Sequence, residues 1–366
     1  MGEIAIRVSL HRQKPMKGMK VDTIRAALIR PQCGAYRAGI NLALRPRGHN
    51  GTHEDSMETL IQQLFNGLVL GSIYALVALG YTMVYGILQL INFAHGDVLM
   101  IGALTALFTV RWIMSNFPDL PGWVVLIGGL SAAIPVAVTV NVAIERLAYR
   151  PLRNAPRLAP LITAIGVSIV LQTLAMIIFG RNFLQFPALL PNDSIELIGG
   201  ARLTPVQIMI LVVAALSMIG LTLLVEKSRL GRAMRATAEN PKVASLMGVD
   251  ANYVIVMTFA IGAALAAVAG VMFALNYGIA HFYMGFMPGL KAFTAAVLGG
   301  IGNVYGAMLG GLLLGLVEAL GAGYIGILTG GFLGSNYQDI FAFIVLVVVL
   351  TLRPSGLMGE RVADRA

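Results

Sequence analysis

Apolar residues along this chain gather in long, nearly unbroken runs, with little of the two-residue alternation of a half-buried strand or the one-sided stripe of a surface helix. Runs near 64–87, 94–112, 123–144, 158–179, 205–225 and 253–276 each have the roughly 20 residues that a helix needs to cross a bilayer. Two more follow, at 289–320 and 337–352, and the first of them is too long for a single crossing. The pattern predicts an all-α polytopic membrane protein with about 8–9 transmembrane helices.

Polar residues between the runs set its orientation. The loop 145–157 carries Arg146, Arg150, Arg153 and Arg157; the loop 226–252 carries Lys227, Arg229, Arg232, Arg235 and Lys242; the C-terminal tail carries Arg353, Arg361 and Arg365. Lys and Arg concentrate in cytoplasmic loops, so all three segments are expected inside. An even number of crossings must then separate 226–252 from the tail, and the run 289–320 is expected to split into two. Its natural break is Gly299-Gly300-Ile301-Gly302-Asn303, where glycines and an amide favour turn conformations. The same parity places Met57 outside.

One polar stretch interrupts the apolar pattern near the first two spans: Ile91-Asn92-Phe93-Ala94-His95-Gly96-Asp97. An amide, an imidazole and a carboxylate inside or against a membrane are costly unless they face a cavity or a partner. Two readings stand. In the first, Asn92, His95 and Asp97 line a substrate pathway around a helix break at Gly96, where interrupted helices offer backbone groups to a zwitterion. In the second they are architecture: Asn92 caps one helix, Asp97 starts the next at its positive end, and His95 satisfies a buried neighbour.

Glycines mark packing stripes. Gly302, Gly306 and Gly310 recur every fourth residue, with Gly311 and Gly315 on a neighbouring stripe and Gly67, Gly71 and Ala75 in the first span. Such spacing lets two helices approach closely, which drives association where no hydrophobic effect operates. Packing within the chain and packing between subunits both fit.

The segment Lys227 to Asp250 is the one sizeable polar stretch between spans on the expected cytoplasmic side, and it reads as two short helices. Arg229 to Glu239 is rich in Ala and Arg. Asn240-Pro241 then supplies an N-cap and an N1 proline, and Gly248 a C-terminal stop. Val243, Leu246 and Met247 fall on one apolar face, which suits a protein partner. Packing of that face on its own bundle is the alternative.

Composition narrows the class further. The chain is 57% hydrophobic and 12% charged, with a mean hydropathy of +0.80, about half the charge share of a soluble domain. Its net charge of +9 does not point to nucleic acid, because residues 1–56 hold ten Lys/Arg against four Asp/Glu and the rest lies in short loops. Residues 1–56 show no apolar period and no signal-peptide core. They read as a disordered basic extension or a stretch upstream of a true start at Met57, with an anionic-lipid anchor as the alternative. The organisation expected is thus extension 1–56, membrane domain 57–359 including the loop 227–250, and tail 360–366. Cys33 alone supports neither a disulfide framework nor a zinc site. None of Lys227, Lys242 or Lys291 ends a phosphate-binding Gly-x-x-x-x-Gly-Lys-Ser/Thr, and His95 and His281 stand too far apart for a metal cluster or a hydrolytic triad. No enzyme, cofactor or metal is expected in this chain.

At this point the residues resemble a known family, the permease subunits of branched-chain amino-acid ABC importers of the LivH type. The likeness covers Met57 to about Gly359 and rests on Gly71-Ser72-Ile73-Tyr74-Ala75-Leu76-Val77-Ala78-Leu79-Gly80, Asn92-Phe93-Ala94-His95-Gly96-Asp97, Gly231-Arg232-Ala233-Met234-Arg235-Ala236, Ala295-Ala296-Val297-Leu298-Gly299-Gly300-Ile301-Gly302 and Arg353-Pro354-Ser355-Gly356-Leu357. It implies a pore-forming subunit in a bacterial inner membrane that pairs with a second permease and stands on two cytoplasmic ATPases. A periplasmic binding protein would deliver the substrate, and ATP would be used by the partners.

The resemblance further implies that the loop 227–250 couples to the ATPases, with Gly231, Arg232, Arg235, Val243, Ala244, Leu246, Met247 and Gly248 as the coupling residues. The family's loose Glu-Ala-Ala followed by Gly lands on Lys242, Val243, Ala244 and Gly248, so Lys242 replaces the usual acid and its salt bridge. Related permeases serving urea or short amides are associated with Asn-Met-Ala-His-Gly-Glu; Phe93 and Asp97 favour the amino-acid branch. A proton-coupled secondary transporter using His95 and Asp97 as a relay is the rival of another class, but it would leave the loop without a purpose.

Overall fold

A computed structural model describes residues 54–153, 155–156, 158–191, 193–196, 200–329, 338–353 and 355–359. The extension falls outside these residues except for Glu54–Ser56, which already belong to the first helix, so a boundary at 56 cuts through a helix. The tail 360–366 lies outside the described residues as well.

The described chain is almost wholly helical. In order it runs α1 (Glu54–Leu88), α2 (His95–Asn116), α3 (Gly122–Ile144), α4 (Leu158–Phe179), α5 (Pro205–Lys227), the short α6 (Arg229–Glu239) and α7 (Pro241–Leu246), then α8 (Ala251–Tyr277), α9 (Phe286–Gly299), α10 (Val304–Leu328) and α11 (Gln338–Leu352). Seven of these are long and apolar enough to cross a membrane; α9 and α11 are apolar but shorter. Lipid explains the preference, since a helix satisfies all its backbone polar groups internally.

Burial divides the helices into two sets. Of the most apolar window of each, α1 is 89% buried and α8 67%, whereas α4 and α5 are each 22% buried. α1 is therefore the central post, and α4 and α5 present apolar surface outward. The tightest seam joins α1 to α10 through glycines: a Cβ on Gly71 would lie 2.8 Å from the Leu312 Cα, and one on Gly311 2.5 Å from the Ala75 Cα. Backbones at that distance gain dispersion contacts that larger side chains would forbid. Gly306 and Gly310 instead pack on Gly299 and Ala295 of α9.

The run 289–320 does break at the glycines, where Gly300 and Gly302 have φ of 107° and 98°, conformations that cost an L-residue with a Cβ far more. Gly302 thus lies in the turn, with nothing within 4 Å of where its Cβ would be, and does not extend the Gly306–Gly310 stripe. Asn303 closes the turn: its Oδ1 accepts from the Gly306 N–H at 3.1 Å and its Nδ2 donates to the Met358 carbonyl at 3.0 Å. The chain after α11 folds back on the same corner, with Leu357 and Met358 N–H donating to the Leu298 and Gly299 carbonyls, both at 2.9 Å.

At the other end of the bundle two small two-stranded sheets cap the helices, of which only the second is a hairpin. β1 (Leu184–Gln185) pairs antiparallel with β4 (Ile279–Ala280), and β2 (Ile195–Glu196) with β3 (Arg202–Leu203). Gln62 of α1 holds the hairpin by donating to the Arg202 carbonyl at 3.1 Å and accepting from the Arg202 N–H at 2.7 Å.

Candidate functional site

The polar stretch after α1 is built by a change of direction. α1 ends at Leu88, and Gln89, with φ 53°, is the one non-glycine residue of positive φ among those described. The break therefore spans Gln89–Ala94 rather than Gly96, which sits inside the first turn of α2. Asn92 caps no helix with its side chain: the N-cap position of α2 is Ala94, which offers no side-chain cap. What closes the turn is backbone, with the His95 N–H donating to the Asn92 carbonyl and the Asp97 N–H to that of Ala94, both at 3.1 Å.

Asn92, His95 and Asp97 are all buried, at 1–2% exposure, and each turns to a different neighbour. Asn92 Oδ1 accepts from the hydroxyl of Tyr149, just beyond α3, at 2.8 Å. Asp97 Oδ1 accepts from Gln172 Nε2 of α4 at 2.9 Å, and the same amide donates to Ser168 Oγ at 3.2 Å. A carboxylate in the first turn of α2 also meets the positive end of that helix. His95 is wedged between glycines: a Cβ on Gly80 would collide with its Nε2, and one on Gly262 would lie 3.6 Å from its Cε1. The Tyr81 ring meets His95 edge-on, with centroids 4.9 Å apart. Neither ring nitrogen forms a well-aligned hydrogen bond among the described residues.

The start of α2 also touches the start of α9 through bare backbone. A Cβ on Gly96 would lie 2.5 Å from the Gly285 carbonyl oxygen and 2.9 Å from the Gly289 Cα. The three polar residues thus tie the start of α2 to α1, α4, α8 and the segment just after α3, Gly96 adds α9, and none of the three lines a described cavity. The larger described cleft, about 280 Å³, opens beside them and is lined by Tyr85, Gln89, Leu90, Ile91, Leu158, Pro160 and Leu161.

The loop after α5 forms two helices, each with a side-chain cap. Ser228 Oγ accepts from the Gly231 N–H at 2.8 Å, and Asn240 Oδ1 from the N–H groups of Lys242 and Val243 at 3.0 and 3.2 Å, so each cap satisfies N–H groups that the helix itself leaves unpaired. Gly248, with φ 84°, ends the turn. The residues singled out here divide in two. Gly231 packs against the Val225 carbonyl, Arg235 donates to the Val225 carbonyl and at 3.4 Å to that of Glu226, and Arg232 donates at 3.4 Å to that of Lys227. These three fix α6 to the end of α5. Val243, Leu246 and Met247 instead point outward, 53%, 87% and 80% exposed, around buried Ala244. Three apolar side chains left in the open next to charged neighbours form a patch suited to a partner.

A second polar constellation escapes a reading by runs and stripes. Lys291 of α9 is buried, its Nζ 2.5 Å from Glu318 Oε1 of α10, 2.6 Å from Asp339 Oδ1 of α11 and 3.2 Å from the Tyr74 hydroxyl of α1. Its signal was present: Lys291 and Glu318 stand as lone opposite charges within the apolar run 289–320.

Comparison with known proteins agrees with this architecture. The family model described as "Branched-chain amino acid transport system / permease component" matches residues 63–350. The chain is 48% identical over 304 residues to the high-affinity branched-chain amino acid transport system permease protein BraD of Pseudomonas aeruginosa, covering 82% of this chain and 96% of the relative. It is 46% identical over 305 residues to the permease protein LivH of Escherichia coli, with the same coverage. A probable LivH of Methanocaldococcus jannaschii is 27% identical over 303 residues, 81% of this chain and 91% of the relative. No solved structure matches the chain. With the match spanning nearly every membrane helix, the chain belongs to the family of branched-chain amino acid transport permease components.

Proposed function

We propose that this chain is a transmembrane subunit of an ATP-driven importer that moves leucine, isoleucine and valine across a bacterial inner membrane. It pairs with a second permease, stands on two cytoplasmic ATPases and receives substrate from a periplasmic binding protein. The observation that carries the reading is the near-full-length identity to two high-affinity branched-chain amino acid permeases. Energy comes from the ATPases, and this chain supplies no cofactor of its own.

Sidedness follows from charge. The loops with Arg146, Arg150 and Arg153 and with Arg229, Arg232 and Arg235, and the C-terminus, face the cytoplasm. The face of Val243, Leu246 and Met247 on α7 then enters a groove of an ATPase, and Gly231, Arg232 and Arg235 transmit its movement to α5. The polar hub of Asn92, His95 and Asp97 forms the wall of the pathway, holding together the helices that must shift when the ATPases close.

Uptake of radiolabelled leucine by the complete importer in proteoliposomes tests the reading, with Leu246→Asp beside the wild type. The wild type should accumulate leucine only with ATP and binding protein. The variant should insert and fold normally but lose most uptake and the stimulation of ATP hydrolysis by loaded binding protein. ATP-independent uptake, or wild-type coupling in the variant, defeats the proposal.

A further inference from the structure

Two of the apolar helices are short within the described residues: α9 has 14 residues and α11 has 15. Both end at the same corner of the molecule, where Leu357 and Met358 donate to the Leu298 and Gly299 carbonyls. Their N-terminal parts meet as well, where Lys291 and Asp339 bond to each other, and Lys291 also pairs with Glu318, which lies well inside α10, a helix long enough to span.

The cluster they form has an imbalance. Lys291 has three N–H donors and all are engaged, by Glu318, Asp339 and Tyr74. Tyr74 in turn donates to Glu318 Oε1 at 3.3 Å. Two carboxylates against one ammonium leave a negative charge over, and Glu318 Oε2 is buried with no hydrogen-bond partner among the described residues. A buried carboxylate oxygen without a donor is costly, so the site has the capacity for another cationic N–H group. Asp339 provides the way in: its side chain is 35% exposed, and a carboxylate inside the membrane does not face lipid but water or protein.

Resting on the transport reading above, we infer that Glu318 and Asp339, with Lys291 and Tyr74, form a subsite for a primary ammonium group on the pathway, which the α-ammonium of the amino acid occupies in passing. Lys291 is the resident ammonium that holds the site closed. The incoming ammonium takes the free Glu318 oxygen and shares Asp339, and Lys291 withdraws toward Tyr74, whose ring face already lies 5.6 Å from its Nζ. No covalent step is involved. The exposure of Asp339 places the pathway along the face that α9 and α11 present, between this chain and its neighbour.

Two measurements on the complete importer test the inference. In the first, thermal unfolding of the wild type is followed with isopentylamine, which carries the ammonium and the branched chain but no carboxylate, and with isopentanol. The amine should raise the midpoint, the alcohol should not, and Glu318→Gln should abolish the shift. In the second, leucine uptake is compared between the wild type and the triple variant Lys291→Met/Glu318→Gln/Asp339→Asn, which leaves no unpaired buried charge. Uptake should fall at least about tenfold, the size expected on losing charged hydrogen bonds, with assembly and basal ATP hydrolysis retained. An ion cluster that merely holds helices together would leave the triple variant transporting normally, and that result, or an amine shift absent from the wild type or matched by the alcohol, overturns the inference. A wild type that fails to import leucine defeats the substrate reading, while the amine shift still decides the subsite.

Discussion

Two polar clusters lie inside the bundle, and they are built on opposite terms. The hub at Asn92, His95 and Asp97 joins its elements through neutral donors: the Tyr149 hydroxyl and the Gln172 amide serve acceptors only five residues apart in sequence. The cluster at Lys291, Glu318, Asp339 and Tyr74 joins four helices through opposite charges drawn from distant parts of the chain. Hydrogen bonds from neutral donors contribute modestly in a membrane, because unassembled helices also find partners for polar groups. A buried ion pair differs. Its net gain over an apolar core is small, but removal of one partner strands the other, at a cost of about 3–5 kcal/mol. The hub should therefore tolerate single substitutions that the ion cluster does not.

The largest break in that comparison is Lys291→Met. It leaves the buried Glu318 carboxylate without its cation, beside the part-exposed Asp339, and should destabilise the folded protein by about 3–5 kcal/mol. Thermal unfolding of the purified protein in detergent, alongside the yield of monodisperse material, measures it. A loss under about 1 kcal/mol, the range of an exposed ion pair, would mean that the pair is solvated.

The difference between the clusters also explains what could be read ahead of the fold. The apolar runs, the basic loops and the glycine break at Gly299–Asn303 are local signals, and each states its own structure. The hub was legible as polar residues out of place, but not its bonding, because Tyr149 and Gln172 look unremarkable in sequence and the reversal rests on Gln89, an ordinary residue in an unusual conformation. The break was expected at Gly96, yet Gly96 is needed for a different purpose, the backbone contact with Gly285 and Gly289. Likewise Gly302 shares the four-residue spacing of Gly306 and Gly310 but serves the turn. Spacing alone does not tell a packing glycine from a turning one. Lys291 and Asp339 meet only through the packing of α9 against α11, a fact of three-dimensional assembly.

A smaller effect is expected from the seam that connects the clusters. α1 carries Tyr74 of the ion cluster and Gly80 and Tyr81 of the hub, and between them Ala75 lies against Gly311 of α10. Gly311→Leu inserts a side chain where a Cβ alone would lie 2.5 Å from backbone, so the helices must separate, at about 1–3 kcal/mol. Both clusters should loosen together. Hydrogen exchange of the backbone around Gly80 and around Glu318 would report it, and protection lost at one site only would show that the two are not joined through α1.

The smallest effect should be that of Asp97→Asn, and it is the one that separates the two roles open to the hub. The substitution keeps size and shape, and Gln172 can turn its amide so that its carbonyl accepts from the new amide. What is lost is the charge-assisted part of one hydrogen bond and the interaction with the start of α2. What is gained is relief from keeping a carboxylate at 1% exposure. These oppose each other, so the change in stability should be about 1 kcal/mol or less. If Asp97 acts only by joining α2 to α4, leucine uptake by the importer should stay within about twofold of wild type, because a perturbation that small shifts the balance between conformations only slightly. A drop of tenfold or more at unchanged stability has no source in packing. It would require Asp97 to meet the substrate during transport, through an opening of the α2–α4 contact that the closed arrangement of Gln172 and Ser168 conceals.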